Sequence, residues 1–287
     1  MSSLTQLFLR GNELSTLTTG QLRGLTNLTL LDLSENHIKI LPQMFLQGLA
    51  NLQVLTLSLN KIHSLSRGAF EGAPALWEIH LNKNHIKMIE KGVFENCTHL
   101  NKLVLSNNHL SSVEEGAFLG PQGLVHLDLS KNRLTTVPTG ALRDTPNLTS
   151  LYLHQNGITF VPEYAFYGLS SLLMLNLNNN PLNNLTCGVL EASLRGLFQL
   201  GELDLSSSEL KDLPSSVFQD LGKLKILNLY DNALTSLPQG LFNNLTMLRE
   251  LQLDKNNIHI IPPDLFHSLS KLRKLHLDRG FSLVHCA

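Results

Sequence analysis

LKILNLYDNALTSLPQGLFNNLTM, from Leu224 to Met247, is one copy of a unit that fills the chain. Its first nine positions read LxxLxLxxN, and this pattern or a close variant opens at residues 4, 28, 52, 76, 100, 124, 148, 172, 200, 224 and 248, with a partial copy at 272. The interval is 24 residues except from 172 to 200, where it is 28. A fixed period of this length is typical of solenoids. We therefore interpret residues 1–287 as a single repeat domain.

The first half of each unit has the pattern of a β-strand. In the copy from Leu224, Leu227 and Leu229 alternate with Ile226, Asn228 and Tyr230. A two-residue alternation of apolar and polar side chains predicts a half-buried strand. We expect the leucines to point into the core and the other three side chains to point outward.

The ninth residue of nearly every unit is asparagine. The chain turns at this point, and buried backbone groups at a corner need hydrogen-bond partners. An amide offers two donors and an acceptor, so we expect a ladder in which each asparagine bonds its own turn and the adjacent one. Ser208 could make part of these bonds and Gly280 none. The ladder residues are Asn12, Asn36, Asn60, Asn84, Asn108, Asn132, Asn156, Asn180, Asn232 and Asn256.

The second half of the unit carries proline and phenylalanine. Proline fixes φ and removes a donor, which suits an extended segment without a hydrogen-bond ladder. The phenylalanines, all at position 19, are expected to stack as a buried spine. The prolines are Pro42, Pro138, Pro162, Pro214, Pro238 and Pro262, and the phenylalanines are Phe70, Phe94, Phe118, Phe166, Phe218, Phe242 and Phe266.

The composition excludes several classes of protein. The net charge is −1, which argues against a general nucleic-acid binder, because phosphate neutralisation needs surplus Lys and Arg. No apolar run approaches the ~20 residues that span a bilayer, and the opening MSSLTQLFLR lacks the regions of a signal peptide. Neither end has a cysteine-rich cap, so we expect a fragment of a longer protein, in which a membrane anchor could lie.

Cysteines and glycosylation sequons bear on the cellular compartment. The cysteines are Cys97, Cys187 and Cys286, an odd number without a CxC cluster, which is not a disulfide framework. Cys97 occupies a position that is leucine in most copies, so we expect a small buried hydrophobe. N-x-S/T sequons are compatible with secretion, although several are expected by chance in an asparagine-rich chain. They begin at Asn27, Asn96, Asn147, Asn184 and Asn244.

The 24-residue unit, with LP and Phe in its second half, resembles the typical extracellular leucine-rich-repeat family. The resemblance covers residues 4–277. The family includes Toll-like receptors, Slit proteins, platelet glycoproteins and the regulatory subunit of carboxypeptidase N. The resemblance implies an α/β horseshoe solenoid with a parallel sheet on its concave face and an irregular or 3-10 convex side. It also implies terminal cysteine caps, which this sequence lacks.

The third, fifth, seventh and eighth positions of each unit are the candidates for partner binding. Neighbouring strands lie about 4.8 Å apart, so equivalent positions form columns. A central group mixes imidazole, ammonium, carboxylate and phenol side chains: His80, Lys102, His126, Asp128, Tyr152 and His154. A later group is acidic and is opposed only by Lys255: Glu202, Asp204, Asp231, Glu250 and Asp254. An acidic strip favours a basic partner, but both groups are also compatible with an ordinary solvated surface.

Nothing in the sequence indicates catalysis, a metal site or a cofactor. The twelve histidines do not have metal-ligand spacing, and no nucleophile or phosphate-loop motif is present. A flat open sheet offers no closed pocket for paired carboxylates. The leading hypothesis is an extracellular or cell-surface scaffold that binds a protein ligand. The alternatives are a carrier or regulatory subunit of a secreted enzyme complex and an innate-immune receptor ectodomain.

Overall fold

The computed structural model describes residues 3–183 and 187–278, with Cys187 and Gly188 described by their backbone alone. Short strands recur once per repeat. In chain order the elements are β1 (Gln6–Phe8), β2 (Leu30–Asp32), β3 (Val54–Thr56), β4 (Glu78–His80), β5 (Met88–Ile89), β6 (Lys102–Val104), β7 (Ser112–Val113), β8 (His126–Asp128), α1 (Thr139–Leu142), β9 (Ser150–Tyr152), β10 (Met174–Asn176), α2 (Cys187–Leu194), β11 (Glu202–Asp204), β12 (Ile226–Asn228), β13 (Glu250–Gln252) and β14 (Lys274–His276).

The described residues form two compact units. The first runs to Leu134 and includes Gly140–Leu148, and the second contains Thr135–Thr139 and the chain from Thr149. The first has strand order β1-β2-β3-β4-β6-β8, and the second β9-β10-β11-β12-β13-β14, with every assigned pair within a unit parallel and in register from repeat to repeat. Each unit is therefore a parallel-sheet solenoid, as the repeat predicted. The interpretation as one domain stays a prediction.

Leucine burial explains why each strand forms. In β12 the side chain of Leu227 is fully buried, and so is that of Leu229, while Ile226, Asn228 and Tyr230 are half-buried. The same alternation recurs in most other strands of the two sheets. Burying a leucine side chain contributes about 1.5–3 kcal/mol. The in-register stacking of repeats places these leucines against one another, so each turn stabilises its neighbours.

The asparagine ladder is present, and its geometry shows what each amide does. Asn84 Nδ2 donates to the backbone oxygens of Leu57 and Leu81, both at 3.0 Å. Its Oδ1 accepts from the backbone N–H of Ile62 at 3.0 Å. One side chain thus satisfies groups in its own turn and in the preceding turn. Ser208, as predicted, makes part of this set: its hydroxyl donates only to the oxygen of Ser206, at 2.9 Å. Gly280 lies outside the described residues.

The phenylalanines stack in two runs. Phe70, Phe94 and Phe118 form the first, with ring centroids 5.3 and 6.2 Å apart. Phe218, Phe242 and Phe266 form the second, at 6.4 and 6.1 Å. Interplanar angles of 10–25° give near-parallel stacking, an arrangement that aromatic rings favour when offset. Position 19 is leucine in two intervening repeats, at Leu142 and Leu194, and this interrupts the stack of phenylalanines.

The second half of each repeat is mostly turns closed by hydrogen bonds between residues three apart. One example is the series Gln47 to Met44, Leu49 to Leu46 and Leu52 to Leu49, each at 3.0 Å. Such bonds are those of 3-10 geometry. The expectation of a segment without any ladder is wrong at one point. Position 13 pairs across turns in β5 and β7 and in three isolated bridges, because it is not itself proline and keeps its N–H.

The eighth position has a backbone requirement that the sequence analysis missed. It adopts the left-handed conformation in every repeat from Leu4 to Leu248, with φ of 72° at Gly11 and between 50° and 58° at the other residues. L-residues seldom adopt positive φ, and Gly and Asn tolerate it best. Glycine or asparagine occupies this position at Gly11, Asn107 and Asn179, and these three residues were the sequence signal for positive φ. The other residues with positive φ at this position are Glu35, Leu59, Lys83, Lys131, Gln155, Ser207, Asp231 and Lys255.

Cys97 is fully buried and free, as its leucine-like position predicted. Burial raises the pKa of its thiol to about 12, so the thiolate needed for reaction is scarce at neutral pH. The side chain of Cys187 and all of Cys286 lie outside the described residues. Over the described part of the chain, no helix has the length and apolarity to cross a membrane.

Candidate protein-binding face

We call the outward side chains of the two parallel sheets the sheet face. The leucines of each strand hold the backbone on the core, and the intervening positions project from the opposite side. These side chains are half-exposed in most strands, for example Glu78 and His80 on either side of buried Ile79. A rigid strand with partly exposed polar side chains can present a fixed array of groups to a partner.

In the first unit a carboxylate connects an imidazole and an ammonium group. Glu78 Oε1 accepts from His80 Nε2 at 2.9 Å and lies 2.5 Å from Lys102 Nζ on the next strand. Burial alone would raise the pKa of Glu78. The hydrogen bond from Lys102 and the charges of His80 and Lys102 outweigh it, and the pKa lies below its ordinary value. Glu78 is therefore ionised at neutral pH, and it orders two of the predicted binding residues.

His126 and Asp128 lie on β8, the strand after Lys102. Burial, and next the charge of Lys102, lower the pKa of His126, so its imidazole is neutral at neutral pH. Asp128 has a local structural role that the sequence analysis did not foresee. Its Oδ1 accepts from the backbone N–H and the hydroxyl of Ser130, at 3.0 and 2.6 Å. These two bonds fix the orientation of the Asp128 carboxylate, and its Oδ2 is the oxygen that a partner would contact.

Two predicted residues of the second unit form an aromatic pair. The rings of Tyr152 and His154 lie edge to face, with centroids 6.2 Å apart and planes at 79°. Both side chains are half-exposed. Edge-to-face contacts stabilise aromatic pairs, so the two rings hold each other in a fixed orientation. Such rings are frequent anchors of protein interfaces.

Glu202 and Asp204 begin the acidic group, on β11. Asp204 Oδ1 accepts from the backbone N–H and hydroxyl of Ser206, and its Oδ2 accepts from Asn178 Nδ2 at 2.9 Å. Burial, followed by the charges of Asp204 and Glu250, raises the pKa of Glu202. These carboxylates repel one another enough to shift the proton equilibrium. A basic partner group placed here would relieve that repulsion.

Glu250 and the remaining acidic residues accept hydrogen bonds from neighbouring groups, which the sequence did not indicate. Glu250 is bonded to Gln252 and to Lys274 Nζ, at 2.9 and 3.0 Å, and these hydrogen bonds lower its pKa. Lys255 is therefore not the only opposing cation, because β14 adds Lys274. Lys255 Nζ itself lies 4.9 Å from the ring centroid of Tyr230.

The last two carboxylates, Asp231 and Asp254, also accept hydrogen bonds. Asp231 Oδ2 accepts from the Ser207 hydroxyl at 3.0 Å, and Asp254 Oδ1 from the backbone N–H of Asp278 at 2.7 Å. The strip remains acidic, with five carboxylates, but most of its oxygens are oriented by neighbours. It is a positioned surface more than a set of mobile charges.

The sequon asparagines that the structure describes, Asn27, Asn96, Asn147 and Asn244, are all exposed. Two of them bond the preceding turn: Asn147 Nδ2 donates to the oxygen of Gln122 at 2.9 Å, and Asn244 Nδ2 to that of Gln219 at 2.8 Å. Asn51, which is not in a sequon, makes the equivalent bond to Thr26 at 2.8 Å. These asparagines therefore have a structural use apart from glycosylation. Asn184 lies outside the described residues.

Within the described ranges no group of three or more His, Cys, Asp or Glu side chains is arranged to hold a metal ion. Most of the polar groups described above are paired with one another. This chemistry suits recognition of a large surface.

Comparison with known proteins supports the repeat assignment. The family profile described as "Leucine rich repeat" matches the chain over residues 1–38, 27–86, 78–134, 98–157, 122–182, 146–197, 198–241 and 224–279. No curated protein matches the chain.

Solved structures share the fold. A chain of the Drosophila Toll–Spatzle complex, in glycosylated form, is 27% identical with a TM-score of 0.88, over 96% of this chain and 38% of that one. A Leptospira interrogans LRR protein is 28% identical with a TM-score of 0.83, over 98% and 68%. A chain of the TLR13–ssRNA13 complex is 27% identical with a TM-score of 0.75, over 96% and 44%. The chain thus spans well under half of the matched Toll–Spatzle chain.

Proposed function

Because the chain belongs to the leucine-rich-repeat family, we propose that it is an extracellular or cell-surface scaffold that binds a protein ligand through its sheet face. The observation that carries the proposal is the order of that face. Charged and aromatic side chains, among them Glu78, Lys102 and Tyr152, stand on strands fixed by buried leucines and are oriented by their neighbours. A preorganised surface loses little side-chain freedom on binding, which favours affinity.

The structural relatives support the class of function. The matched Toll chains come from a complex with Spatzle, and a further relative, 25% identical with a TM-score of 0.73, comes from a complex of latrophilin 3, Unc5D and FLRT2. These are assemblies of proteins. The TLR13 structure contains single-stranded RNA, but the net charge of −1 here favours a protein ligand for this chain.

Two finer functions stand beside adhesion or receptor-type recognition. The segments at 179–190, 197–210 and 234–242 look most like platelet glycoprotein V and the carboxypeptidase N regulatory subunit. That likeness favours a carrier or regulatory subunit of a secreted enzyme complex. The Toll and TLR13 likenesses favour an innate-immune receptor ectodomain. A transmembrane helix in the parent protein would support the receptor, and a soluble end after a cysteine cap would support the carrier.

The binding test uses the full chain displayed against an array of secreted and cell-surface proteins. Two sheet-face variants, Lys102→Glu and Glu202→Lys with Glu250→Lys, are compared with Glu209→Lys, an exposed charge at the tenth position of its repeat. We expect at least one array protein to bind the natural chain, to lose tenfold or more in affinity with a sheet-face variant, and to bind Glu209→Lys unchanged. An array without a binder, or binding indifferent to both sheet-face variants, would contradict the proposal.

Glycosylation tests the compartment separately. Fused to a secretion signal and expressed in animal cells, the chain should carry N-glycans at some of the exposed asparagines, Asn27, Asn96, Asn147 and Asn244. Peptide mapping after enzymatic deglycosylation would show each used site as Asp. Secretion of a folded chain without glycan at any sequon would remove the support that the sequons give to an extracellular assignment.

A further inference from the structure

The second position of each repeat forms a continuous edge beside the sheet. In the second unit the backbone N–H of Gly201 bonds the oxygen of Leu173, and Lys225, Arg249 and Arg273 continue the series, each at 2.8 Å. These five residues are therefore successive rungs, about 4.8 Å apart. We call this row, with Lys271, the edge rail.

The charge of the edge rail differs from that of the sheet face beside it. Lys225, Arg249, Lys271 and Arg273 are all exposed. Among the residues that the structure describes, none of these four cations has an ion-pair partner. The equivalent rungs of the first unit are uncharged, at Gln53, Trp77, Asn101 and Val125. The excess of positive charge is thus confined to the edge of the last repeats, although the whole chain has a net charge of −1.

Gly201 opens a cleft in this edge. Every other rung between Leu173 and Arg273 carries a large side chain, and the missing one leaves a cleft of about 750 Å³. Most of its exposed lining is apolar, with Leu173 and Met174 from one repeat and Ile226 and Met247 from another, while Ser150 and Gln199 add neutral polar groups. Leu173 is 50% exposed, a high fraction for a leucine. An apolar ligand group placed between these walls would remove that surface from water.

The charge of Glu202 restricts where an anionic ligand can bind. It lines the cleft on the sheet side, where it would repel an acidic group. Lys223 and Lys225 line the cleft on the edge side. An anionic ligand therefore avoids the sheet face and runs along the edge rail.

We propose that the cleft above Gly201 and the edge rail form a second interaction surface, which takes an acidic peptide segment of a partner protein with one large apolar residue. The apolar side chain enters the cleft, and the flanking carboxylates pair with Lys225, Arg249 and Arg273. Charge complementarity selects the acidic segment. The apolar walls favour a peptide over a sulfated polysaccharide, which has no side chain to fill them. The surface shares Met174, Glu202 and Ile226 with the sheet face. Gly201 and Lys225 belong to the edge alone, so substitutions at these two residues test the edge separately from the sheet face.

The structure supplies a substitution that tests the cleft alone. Gly201 does not have positive φ, and a Cβ there meets only the oxygen of Leu173, at 3.5 Å, an ordinary contact. Gly201→Gln installs the side chain that Gln53 carries on the equivalent rung of the first unit, so the variant should fold. Lys225→Glu tests the charge. Lys211→Glu is the matched control. It makes the same charge change in the second compact unit, at an exposed residue in the twelfth position of its repeat, away from the edge rail.

The probe is an array of acidic 12-residue peptides that have one central Leu, Phe or Met, with partner arrays in which that residue is Ser or the acids are amides. We expect a subset of the first array to bind the natural chain, with affinity falling at least tenfold between 50 and 200 mM salt. Gly201→Gln and Lys225→Glu should each weaken those peptides tenfold or more, and Lys211→Glu less than twofold.

Three outcomes would overturn the proposal. The first is equal binding of the Ser-substituted peptides, which would show that the cleft is not used. The second is unchanged affinity of Gly201→Gln. The third is tight binding of a heparin oligosaccharide with no peptide binding, which would identify the edge rail as a site for sulfated polysaccharide. Circular dichroism of each variant, expected to match the natural chain, separates these results from misfolding.

Discussion

The backbone oxygen of Ser208 accepts a hydrogen bond from the backbone N–H of Leu182, at 3.0 Å. In turns that carry asparagine, the side-chain Oδ1 accepts this bond, as Asn84 Oδ1 does from Ile62 at 3.0 Å. A main-chain group has thus replaced a side-chain group at the repeat that follows the 28-residue interval. The next asparagine, Asn232, bonds the N–H groups of both Ser208 and Leu210, which closes the corner.

This replacement predicts unequal costs along the ladder. Asn84→Ala should leave the N–H of Ile62 without its acceptor. The oxygens of Leu57 and Leu81 each lose one donor and keep another, from Asn60 and Asn108. An unsatisfied buried N–H costs about 1–3 kcal/mol and a lost hydrogen bond about 1 kcal/mol, so we expect a total loss of about 3 kcal/mol. Ser208→Ala removes one neutral hydrogen bond and should cost about 1 kcal/mol.

Denaturant unfolding measures the two losses, and hydrogen exchange locates them. The N–H of Ile62 should exchange faster in Asn84→Ala, while that of Leu182 stays protected in Ser208→Ala because its acceptor is backbone. Equal losses in the two variants would show that the ladder does not depend on the amide.

The left-handed eighth position predicts a dependence on residue type at an exposed site. Leu59 has φ of 57° and is 40% exposed. A β-branched residue is strained there, and left-handed backbone costs about 1–2 kcal/mol for an L-residue. Leu59→Val should therefore lower the free energy of unfolding by about 1 kcal/mol, whereas Leu59→Asn should leave it unchanged or slightly raise it.

Leu173→Val is the matched control for this strain. Leu173 is 50% exposed and lies next to β10 without positive φ, so we expect a change within about 0.5 kcal/mol. Thermal melts of the three variants decide the matter. If Leu59→Val and Leu173→Val are equally stable, backbone strain at the eighth position is negligible.

The sequence predicted the parts of the structure that repeat. Twenty-four-residue periodicity placed the strands, the asparagine ladder and the phenylalanine stacks, because each recurs at one position and has one physical cause. Positive φ at Leu59 was missed because leucine gives no signal of backbone conformation. The candidate binding residues lie on the outward side of the strands, as the alternation predicted, and their binding role stays a prediction. Their pairing with neighbouring side chains was not foreseen. Whether Asp128 bonds Ser130, or Glu250 bonds Lys274, depends on side-chain rotamers that periodicity does not specify.

The phenylalanine stack predicts a graded loss of stability at Phe94. This ring lies between Phe70 and Phe118 and is fully buried. Phe94→Ala should cost about 3–5 kcal/mol, since it leaves a cavity in a packed row. Phe94→Leu should cost less than about 1.5 kcal/mol, because Leu142 occupies the same repeat position.

Phe160→Ala provides the surface control for the stack, because its side chain is 46% exposed. We expect a change within about 0.5 kcal/mol. Calorimetric midpoints measured on the three variants would rank them. A Phe94→Ala variant as stable as Phe160→Ala would mean that the rings stack without contributing to stability.

His126 predicts a pH dependence of stability. Burial and the charge of Lys102 lower its pKa from the ordinary 6.5, with Asp128 and Glu78 opposing and His80 adding to the shift. Between the folded and unfolded pKa values the unfolded chain binds more protons, so the free energy of unfolding rises with pH in that window. The stability is fully present above pH 6.5 and decreases as the pH falls toward the folded pKa.

The change in stability that His126 contributes should be less than about 1 kcal/mol, because the ring is partly in contact with solvent. His126→Gln removes the titrating group, so the variant should lose less stability than the natural chain between pH 7 and pH 5. His37→Gln, at an exposed histidine, should follow the natural chain. Urea unfolding at half-unit pH steps would show the difference. Parallel curves for the natural chain and His126→Gln would mean that the neutral state of His126 is not coupled to folding.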